Sequence, residues 1–358
     1  MVVYYSVLIG TWSLLFFANK PLYAKNDLAV SNKKSSNKIL IALAFLILWL
    51  LCGLRYGIGT DYFSYKNIYE TIVKTKSNSV NMEIGFYLLC RFIGFFNADY
   101  KVFFLITSFL SIIFVYLRII LDSHSSDLSI IVYLSSFSYF TTFNIVRQSI
   151  AMGIIFFGTR YLEKKQPIKY FIFLVIAILF HKTAIIGLAF YYIYYVRFNN
   201  VINLLIIITA PIALIALKDQ FLNLLKLIYP SYVSRFEITP EFSALRISFE
   251  MVLLIISIYY FKFLRNLSEG NALVNCQAII LVFNIISFLI PYAHRIIMYF
   301  TFLQTLLVPS ILKSIKFKSD KVIIGTFFVI YYLLYIYYSI KINNSGEILP
   351  YRWIFGVQ

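Results

Sequence analysis

Charged side chains are scarce in this sequence. Asp, Glu, Lys and Arg together make up 13% of its 358 residues, and only 15 of them are acidic. Soluble domains carry about 25% charged residues. Here 61% of the residues are apolar and the mean hydropathy is +0.82. This composition excludes a water-soluble globular protein and indicates an integral membrane protein.

The sequence also lacks the motifs of several common enzyme sites. It contains no HExxH, no GxSxG, no Walker loop and no DxD, which argues against a zinc protease, an α/β-hydrolase, a P-loop NTPase and a metal-held nucleotide sugar. Cys52, Cys90 and Cys276 are scattered in or near apolar runs without CxxC spacing, and we interpret them as small apolar residues. The three histidines are equally dispersed, so we expect no metal site and no cofactor.

Long apolar runs dominate what is present. They predict an all-α integral membrane protein, a single polytopic domain over residues 1–358 with about twelve transmembrane helices. The segment 83–97 is short and carries Glu83 and Arg91, so we predict an interfacial helix there. The predicted crossings lie at about 2–18, 39–54, 101–119, 128–145, 146–162, 168–181, 183–197, 201–217, 247–263, 276–292, 295–312 and 322–340.

The lysines predict the orientation. They crowd three short connections, at 20–38, 164–169 and 313–321, and the positive-inside rule places all three in the cytoplasm. Both termini are then extracytoplasmic, and the polar segments 55–82 and 218–246 form an outer vestibule. The net charge is +17, but no basic run is interleaved with aromatic residues on a polar face. We therefore expect an anionic lipid or phosphate-bearing partner and no nucleic acid.

The first of four polar stretches follows the second predicted helix and runs from Arg55 to Tyr62. Gly57 and Gly59 allow tight turns close to the membrane surface. Arg55 could donate a bidentate fork to a phosphate, and Asp61 could accept a proton. The alternative is an ordinary helix exit, with a snorkelling arginine and a capping aspartate.

Two further stretches interrupt apolar runs. Arg147 and Gln148 lie at the start of a predicted helix, where polar groups are functional candidates unless they merely line an outer hairpin. His181 lies in the stretch Leu179–Thr183 and is the side chain best suited to move protons near neutral pH, although a lone histidine among apolar residues is more often structural. In the fourth stretch Arg295 could reach the same vestibule as Arg147, or simply mark a proline-bounded helix start.

Three of these patches resemble the EpsG-like family of Wzy-type polysaccharide polymerases. The similar segments are LRYGIGTDYFSYKNIYE (54–70), VRQSIAMGIIFFGTRYLEKK (146–165) and ILFHKTAII (178–186), in the order that the family shows. The terminal Pro350-Tyr351-Arg352 is similar to the way such chains end. The resemblance covers roughly residues 50–355.

The resemblance implies a glycan polymerase of the bacterial cytoplasmic (inner) membrane. Such an enzyme transfers a growing polysaccharide from undecaprenyl diphosphate to the next lipid-linked repeat unit at the outer face. Its partners would be these lipid-linked oligosaccharides, membrane lipids, a chain-length regulator and a flippase. We expect Arg55, Arg147, Gln148 and Arg295 to bind the diphosphate. The catalytic candidates are Asp61 and His181, and His294 and Arg352 are further site candidates.

The base is assigned on position along the chain. Asp61 follows a flexible turn in the larger outer loop, so we expect it to be the base, with His181 orienting the diphosphate; the reverse assignment stays open. A membrane O-acyltransferase acting on a surface glycan is the enzymatic rival. A lipid-linked glycan flippase is the rival from another class, although the sequence shows neither the internal repeat nor the midplane charges that it would need.

Overall fold

The structure is a computed structural model that describes residues 1–20, 37–77, 80–195, 244–287 and 293–355, with a few isolated positions between 205 and 223. Within these ranges the regular structure is helical, apart from one isolated bridge between Arg55 and Trp353. The predicted all-α class is therefore confirmed. The predicted helix 201–217 and most of the predicted outer loop 218–246 lie outside the described residues.

Fifteen α-helices lie in the described ranges, joined by short 3₁₀ and π segments. The helices are α1 (Val2–Ala18), α2 (Lys38–Gly53), α3 (Tyr62–Thr75), α4 (Ile84–Phe95), α5 (Tyr100–Asp122), α6 (Ser126–Ser135), α7 (Val146–Glu163), α8 (Pro167–Phe180), α9 (Leu188–Tyr195), α10 (Ala244–Tyr259), α11 (Phe261–Leu264), α12 (Gly270–Ile286), α13 (Ala293–Thr301), α14 (Gln304–Ser314) and α15 (Lys318–Tyr337). The 3₁₀ segments are Phe140–Phe143, Lys182–Gly187 and Ser345–Glu347, and the π segment is Tyr338–Ile342.

Apolar length alone does not yield twelve crossings. Tyr100–Asp122 and Lys318–Ile342 are long and apolar enough to span a membrane, and His294–Thr301 with Gln304–Ser314 forms a further candidate bent by 44°. The other apolar helices among the described residues have 10–17 residues. The twelve crossings and the position of the termini therefore stay predictions.

Two predicted helices are interrupted. The predicted helix 128–145 stops at Ser135, because Phe137 adopts a left-handed conformation with φ +67° and the chain turns before the 3₁₀ segment Phe140–Phe143. The predicted helix 295–312 bends between α13 and α14. Apolar patterning missed both breaks because apolar residues continue on either side of each one.

Helix α7 lies at the centre of the described bundle, packed between α5 and α8. At one end of α5 and α7 the fully buried guanidinium of Arg118 lies 2.6 Å from Asp122 and also pairs with Glu163. Tyr194 donates to the same Glu163 carboxylate at 3.2 Å. A charge this deep is tolerated because it is paired, and the network fixes this end of the two helices.

A second polar network joins three other helices. Glu250 of α10 is 4% exposed and accepts from Gln277 of α12 at 2.7 Å and from Gln304 of α14 at 2.6 Å. Gln304 also donates to the side-chain oxygen of Gln277 at 3.0 Å. A buried polar network of this kind fixes the relative positions of the helices, because each group would lose its hydrogen-bond partner if a helix shifted. The network lies directly beside the bend between α13 and α14.

The C-terminal segment is tied to the connection between α2 and α3. The amide of Tyr56 donates to the carbonyl of Arg352 at 3.0 Å, and the amide of Ile354 donates to the carbonyl of Leu54 at 3.0 Å. The Tyr351 hydroxyl donates to the Leu51 carbonyl at 2.9 Å. The last described residues therefore lie against the end of α2, at the same end of the bundle as the start of α7.

Candidate functional site

Three ionisable side chains from different parts of the chain meet at the start of α7. Oε1 of Glu83 lies 3.1 Å from Nδ1 of His181, and Oε2 of Glu83 forms an ion pair with Nη1 of Arg147. The exposed fractions of these side chains are 9% for Glu83, 8% for His181 and 20% for Arg147. We call these three residues the ionic cluster. One carboxylate thus bridges an imidazole and a guanidinium.

The backbone brings the ionic cluster together at helix ends. Glu83 is the N-cap of α4, and its carboxylate makes no capping hydrogen bond with its own helix. His181 ends α8 in an extended conformation. The two helices approach closely at Gly85, where a β-carbon would lie 2.8 Å from the carbonyl oxygen of Leu179. Glycine therefore permits the approach that places Glu83 beside His181.

The local electrostatics keep the carboxyl ionised and the imidazole neutral. Burial by itself would raise the pKa of Glu83, but the His181 hydrogen bond and the Arg147 charge outweigh it and lower this pKa to about 2. Burial lowers the pKa of His181, and the positive charges of Arg147 and Arg295 add to this effect, while Glu83 opposes it. An ionised carboxylate only accepts hydrogen bonds, so Nδ1 of His181 carries the proton. Its Nε2 is then free of a proton, as a general base requires.

Arg295 joins this group through Gln148. The side-chain nitrogen of Gln148 donates to the backbone carbonyl of Arg295 at 2.7 Å, which ties the start of α13 to α7. Nε of Arg147 is buried and has no hydrogen-bond partner among the described residues. Two guanidinium groups, one carboxylate and a neutral imidazole leave an excess of positive charge. Such a site favours an anionic ligand.

Arg55 has a different environment from Arg147. Its side chain is fully buried and donates to the Phe143 carbonyl at 3.1 Å, to the Ser108 hydroxyl at 3.4 Å and to the Cys52 carbonyl. Its guanidinium also lies 5.1 Å from the centre of the Phe104 ring. The structure therefore gives Arg55 protein partners and no open face, and it does not bring Arg55 into the ionic cluster.

The other predicted site residues lie around the cluster. Asp61 is partly exposed at the start of α3, one helical turn from Tyr65, which interacts with Arg147. His294 lines a neighbouring cavity, and the Arg352 side chain is exposed. Among the described residues no group of three or more His, Cys, Asp and Glu side chains converges on a common point.

Glu83 is the site residue that sequence reasoning missed. The sequence predicts it only as a charge at the start of an interfacial helix, since nothing in its neighbourhood resembles a motif. The feature that could have indicated Glu83 is the rarity of acidic residues in this chain. Glu83 is one of 15 acidic residues in the chain and adjoins the apolar segment Ile84–Phe95, where an ionisable group needs a partner.

Comparison with known proteins identifies the family. The model of the EpsG family matches residues 38–353, most of the chain. The chain belongs to the EpsG family. No curated protein and no solved structure matches it. The match to the EpsG family includes α2 through α15 and all members of the ionic cluster. EpsG membership and the apolar helices together identify a membrane protein with a role in polysaccharide biosynthesis.

Proposed function

We propose that this EpsG-family protein is a glycan polymerase that transfers a growing polysaccharide from undecaprenyl diphosphate to the next lipid-linked repeat unit. The observation that carries the proposal is the ionic cluster, a neutral histidine oriented by a carboxylate beside arginines with an excess of positive charge. The reaction needs these two functions together, a base for a sugar hydroxyl and a partner for a departing diphosphate.

The proposed chemical step is a displacement at the anomeric carbon of the donor sugar. Nε2 of His181 removes the proton from the acceptor hydroxyl while that oxygen bonds to the anomeric carbon. The bond from this carbon to the diphosphate oxygen breaks, and the electron pair leaves with the lipid diphosphate. The donor carries its own activated leaving group, so the step requires no nucleotide and no cofactor.

The geometry favours His181 over Asp61 as the base. His181 has a partner that fixes its tautomer. The Asp61 carboxylate has only a long contact with the hydroxyl of the neighbouring Thr60, at 3.4 Å, among the described contacts. Holding an imidazole by a buried carboxylate on Nδ1 is the arrangement of hydrolase triads. We therefore propose His181 as the base, the reverse of the first assignment from the sequence, with Glu83 as the residue that positions it.

The arginines take separate roles in this proposal. Arg147, which Glu83 holds in place by an ion pair, supplies positive charge to the diphosphate, and Arg295 contributes a second positive charge. Gln148 positions Arg295 through its backbone. Arg55 supports the end of α2 from inside the protein.

The proposed location follows from the lysine distribution. It predicts that the ionic cluster faces the outer side of the bacterial cytoplasmic membrane, where lipid-linked repeat units are joined. Flippases and chain-length regulators are then the expected partners.

A deletion strain distinguishes the candidate functions. Loss of a polymerase leaves single repeat units on the lipid or on the cell surface, and the wild-type gene restores long chains. Full-length chains without acyl groups would instead indicate an O-acyltransferase. Accumulation of lipid-linked units on the cytoplasmic side would indicate a flippase, and either result would overturn the proposal. Purified protein that converts lipid-linked units into a ladder of oligomers provides the direct test.

A further inference from the structure

A polar cavity of about 690 Å³ lies beside the ionic cluster. Ligand-binding pockets commonly have volumes of about 300–1,000 Å³, so this space is large enough for an oligosaccharide segment. The side chains at its wall are mostly amides, hydroxyls and phenols. They include Asn144, Tyr335, Tyr338, Ser339, Asn343 and Asn344.

Three distant segments build one wall of the cavity. The amide of Gly59 donates to the Glu347 carbonyl at 3.2 Å, and Asn144 donates to the Gly346 carbonyl at 3.2 Å. Thr60 donates to the side-chain oxygen of Asn144 at 3.0 Å. Gly59 has φ +99°, and a β-carbon on it would lie 2.7 Å from Asn144. The wall is therefore closely fitted, and its shape depends on glycine at this position.

The cavity and the ionic cluster share two short pieces of backbone. On α13, His294 lines the cavity, while the next residue, Arg295, acts electrostatically on His181. At the start of α7, Ile145 lines the cavity, and Arg147 two residues later belongs to the cluster. A ligand in the cavity would therefore lie next to a ligand bound at the cluster.

The lining suits a neutral, hydroxyl-rich ligand. Side-chain amides both donate and accept hydrogen bonds, as sugar hydroxyls do, and tyrosine rings offer an apolar face with a polar edge. The charged side chains among the lining residues are Arg246 and Glu347, one of each sign. The cavity thus lacks the excess of positive charge that distinguishes the ionic cluster.

We infer that this cavity binds the sugar residues of the acceptor repeat unit, separately from the lipid diphosphate at the ionic cluster. The inference rests on the proposed polymerase function and adds a place for the second substrate. The acceptor hydroxyl would approach His181 from the side of Asn144 and His294.

The test measures two ligands on one purified, full-length protein in lipid nanodiscs. The first probe is a lipid-free oligosaccharide released by partial hydrolysis of the strain's own surface polysaccharide, and the second is undecaprenyl diphosphate. The variant is Asn343→Ala with Tyr338→Phe, which removes two polar groups from the lining. The matched control is Asn266→Ala, an exposed asparagine after α11 that does not line the cavity.

We expect the double variant to bind the oligosaccharide roughly tenfold more weakly and to bind undecaprenyl diphosphate as the wild type does. Asn266→Ala should bind both normally. Unchanged oligosaccharide binding by the double variant, or weaker binding of undecaprenyl diphosphate alone, would overturn the inference while leaving the polymerase proposal intact. A wild-type protein that binds undecaprenyl diphosphate but no oligosaccharide would also overturn it. Failure to bind either probe, together with long surface chains in the deletion strain, would refute the polymerase itself.

Discussion

Glu83 and His181 are 98 positions apart along the chain, yet Oε1 of Glu83 lies 3.1 Å from Nδ1 of His181. The His181 side chain is buried, the Glu83 side chain is 9% exposed, and the same carboxylate also pairs with Arg147. This relationship sets the protonation of the site. The carboxylate fixes the imidazole tautomer, and burial keeps the imidazole neutral.

Replacing Glu83 by Gln should reduce the rate of chain extension by about 10²- to 10⁴-fold. The amide can donate to Nδ1 of His181 and thereby favour the unproductive tautomer. The measurement is the rate of oligomer formation by purified protein. Imidazole ¹⁵N chemical shifts, with only three histidines to assign, report the tautomer independently.

Glu70→Gln is the matched control for this substitution. Glu70 lies on α3 and makes an exposed ion pair with Lys66 at 3.8 Å, an interaction of small energetic effect. The Glu70→Gln variant should keep wild-type activity. A Glu83→Gln protein with an unchanged rate and an unchanged His181 tautomer would remove Glu83 from its positioning role.

The pH dependence should show one acid limb, caused by His181. A general base must be unprotonated, so activity falls as pH drops through the pKa of His181, which burial holds below its ordinary value of about 6.5. Glu83, with a pKa of about 2, stays ionised between pH 4 and 8 and contributes no limb. Measured from pH 4 to 8, the rate should therefore be constant above neutrality. Below the pKa of His181 it should fall about tenfold for each pH unit.

Asp61→Asn separates the two base assignments. If His181 is the base, this variant retains measurable activity and the same acid limb. If it abolishes activity although the protein remains folded, Asp61 is the base, as its position in the sequence first predicts.

The sequence could predict the helical class and part of the site, for identifiable reasons. Apolar runs predict helices well, and rare polar residues between them pointed to Arg147, Gln148, His181 and Arg295, which the fold does bring together. Span counts are harder to predict, because breaks such as the turn at Phe137 depend on backbone conformation inside an apolar segment.

The roles of single charged residues were the least predictable. Arg55 and Arg147 have similar sequence surroundings, but one is enclosed by carbonyls and aromatic rings and the other lies in the ionic cluster. Glu83 gains its role only from the approach of α4 to α8 at Gly85. Such contacts are set by tertiary packing and leave no local pattern.

Arg147→Lys should lose most polymerisation although the charge is retained. A lysine ammonium can pair with Glu83, but it cannot offer a second, planar donor edge to a diphosphate. Losing one donor to the transition state typically costs about 10²–10³ in rate. Chain extension at matched protein concentration is the measurement.

Arg160→Lys makes the same chemical change on the same helix, about 20 Å away along α7. Arg160 pairs with Asp122 at 3.3 Å, at the opposite end of the helix from the ionic cluster. This control should extend chains normally. Wild-type chain length with Arg147→Ala, at equal expression, would exclude Arg147 from the site.

Cysteine labelling should place Lys34 and Lys165 in the cytoplasm and Asp61 and Lys182 outside. Of these four positions, Lys34 lies beyond the described residues. The three native cysteines are buried, so an impermeant maleimide should not label the unmodified protein. Introduced cysteines at 61 and 182 should react in intact cells, and those at 34 and 165 only after permeabilisation. The opposite pattern would overturn the predicted orientation. Gln148 is 2% exposed and is a poor labelling position for that reason.

Arg55→Lys should lower the thermal stability of the protein and leave the activity of the folded fraction close to that of the wild type. Arg55 donates to the carbonyl of Phe143, to Ser108 and to Cys52 from a fully buried position. A lysine cannot reach all of these acceptors, and each buried acceptor left unpaired costs about 1–3 kcal/mol.

The measurement is the midpoint of thermal unfolding in detergent, followed by tryptophan fluorescence, with chain extension normalised to folded protein. Arg147→Lys is the natural comparison, since it should show the reverse pattern of normal stability with lost activity. An Arg55→Lys protein with an unchanged midpoint and weakened binding of undecaprenyl diphosphate would instead make Arg55 a diphosphate ligand. In that case Arg55 would have to leave its present partners when the substrate binds.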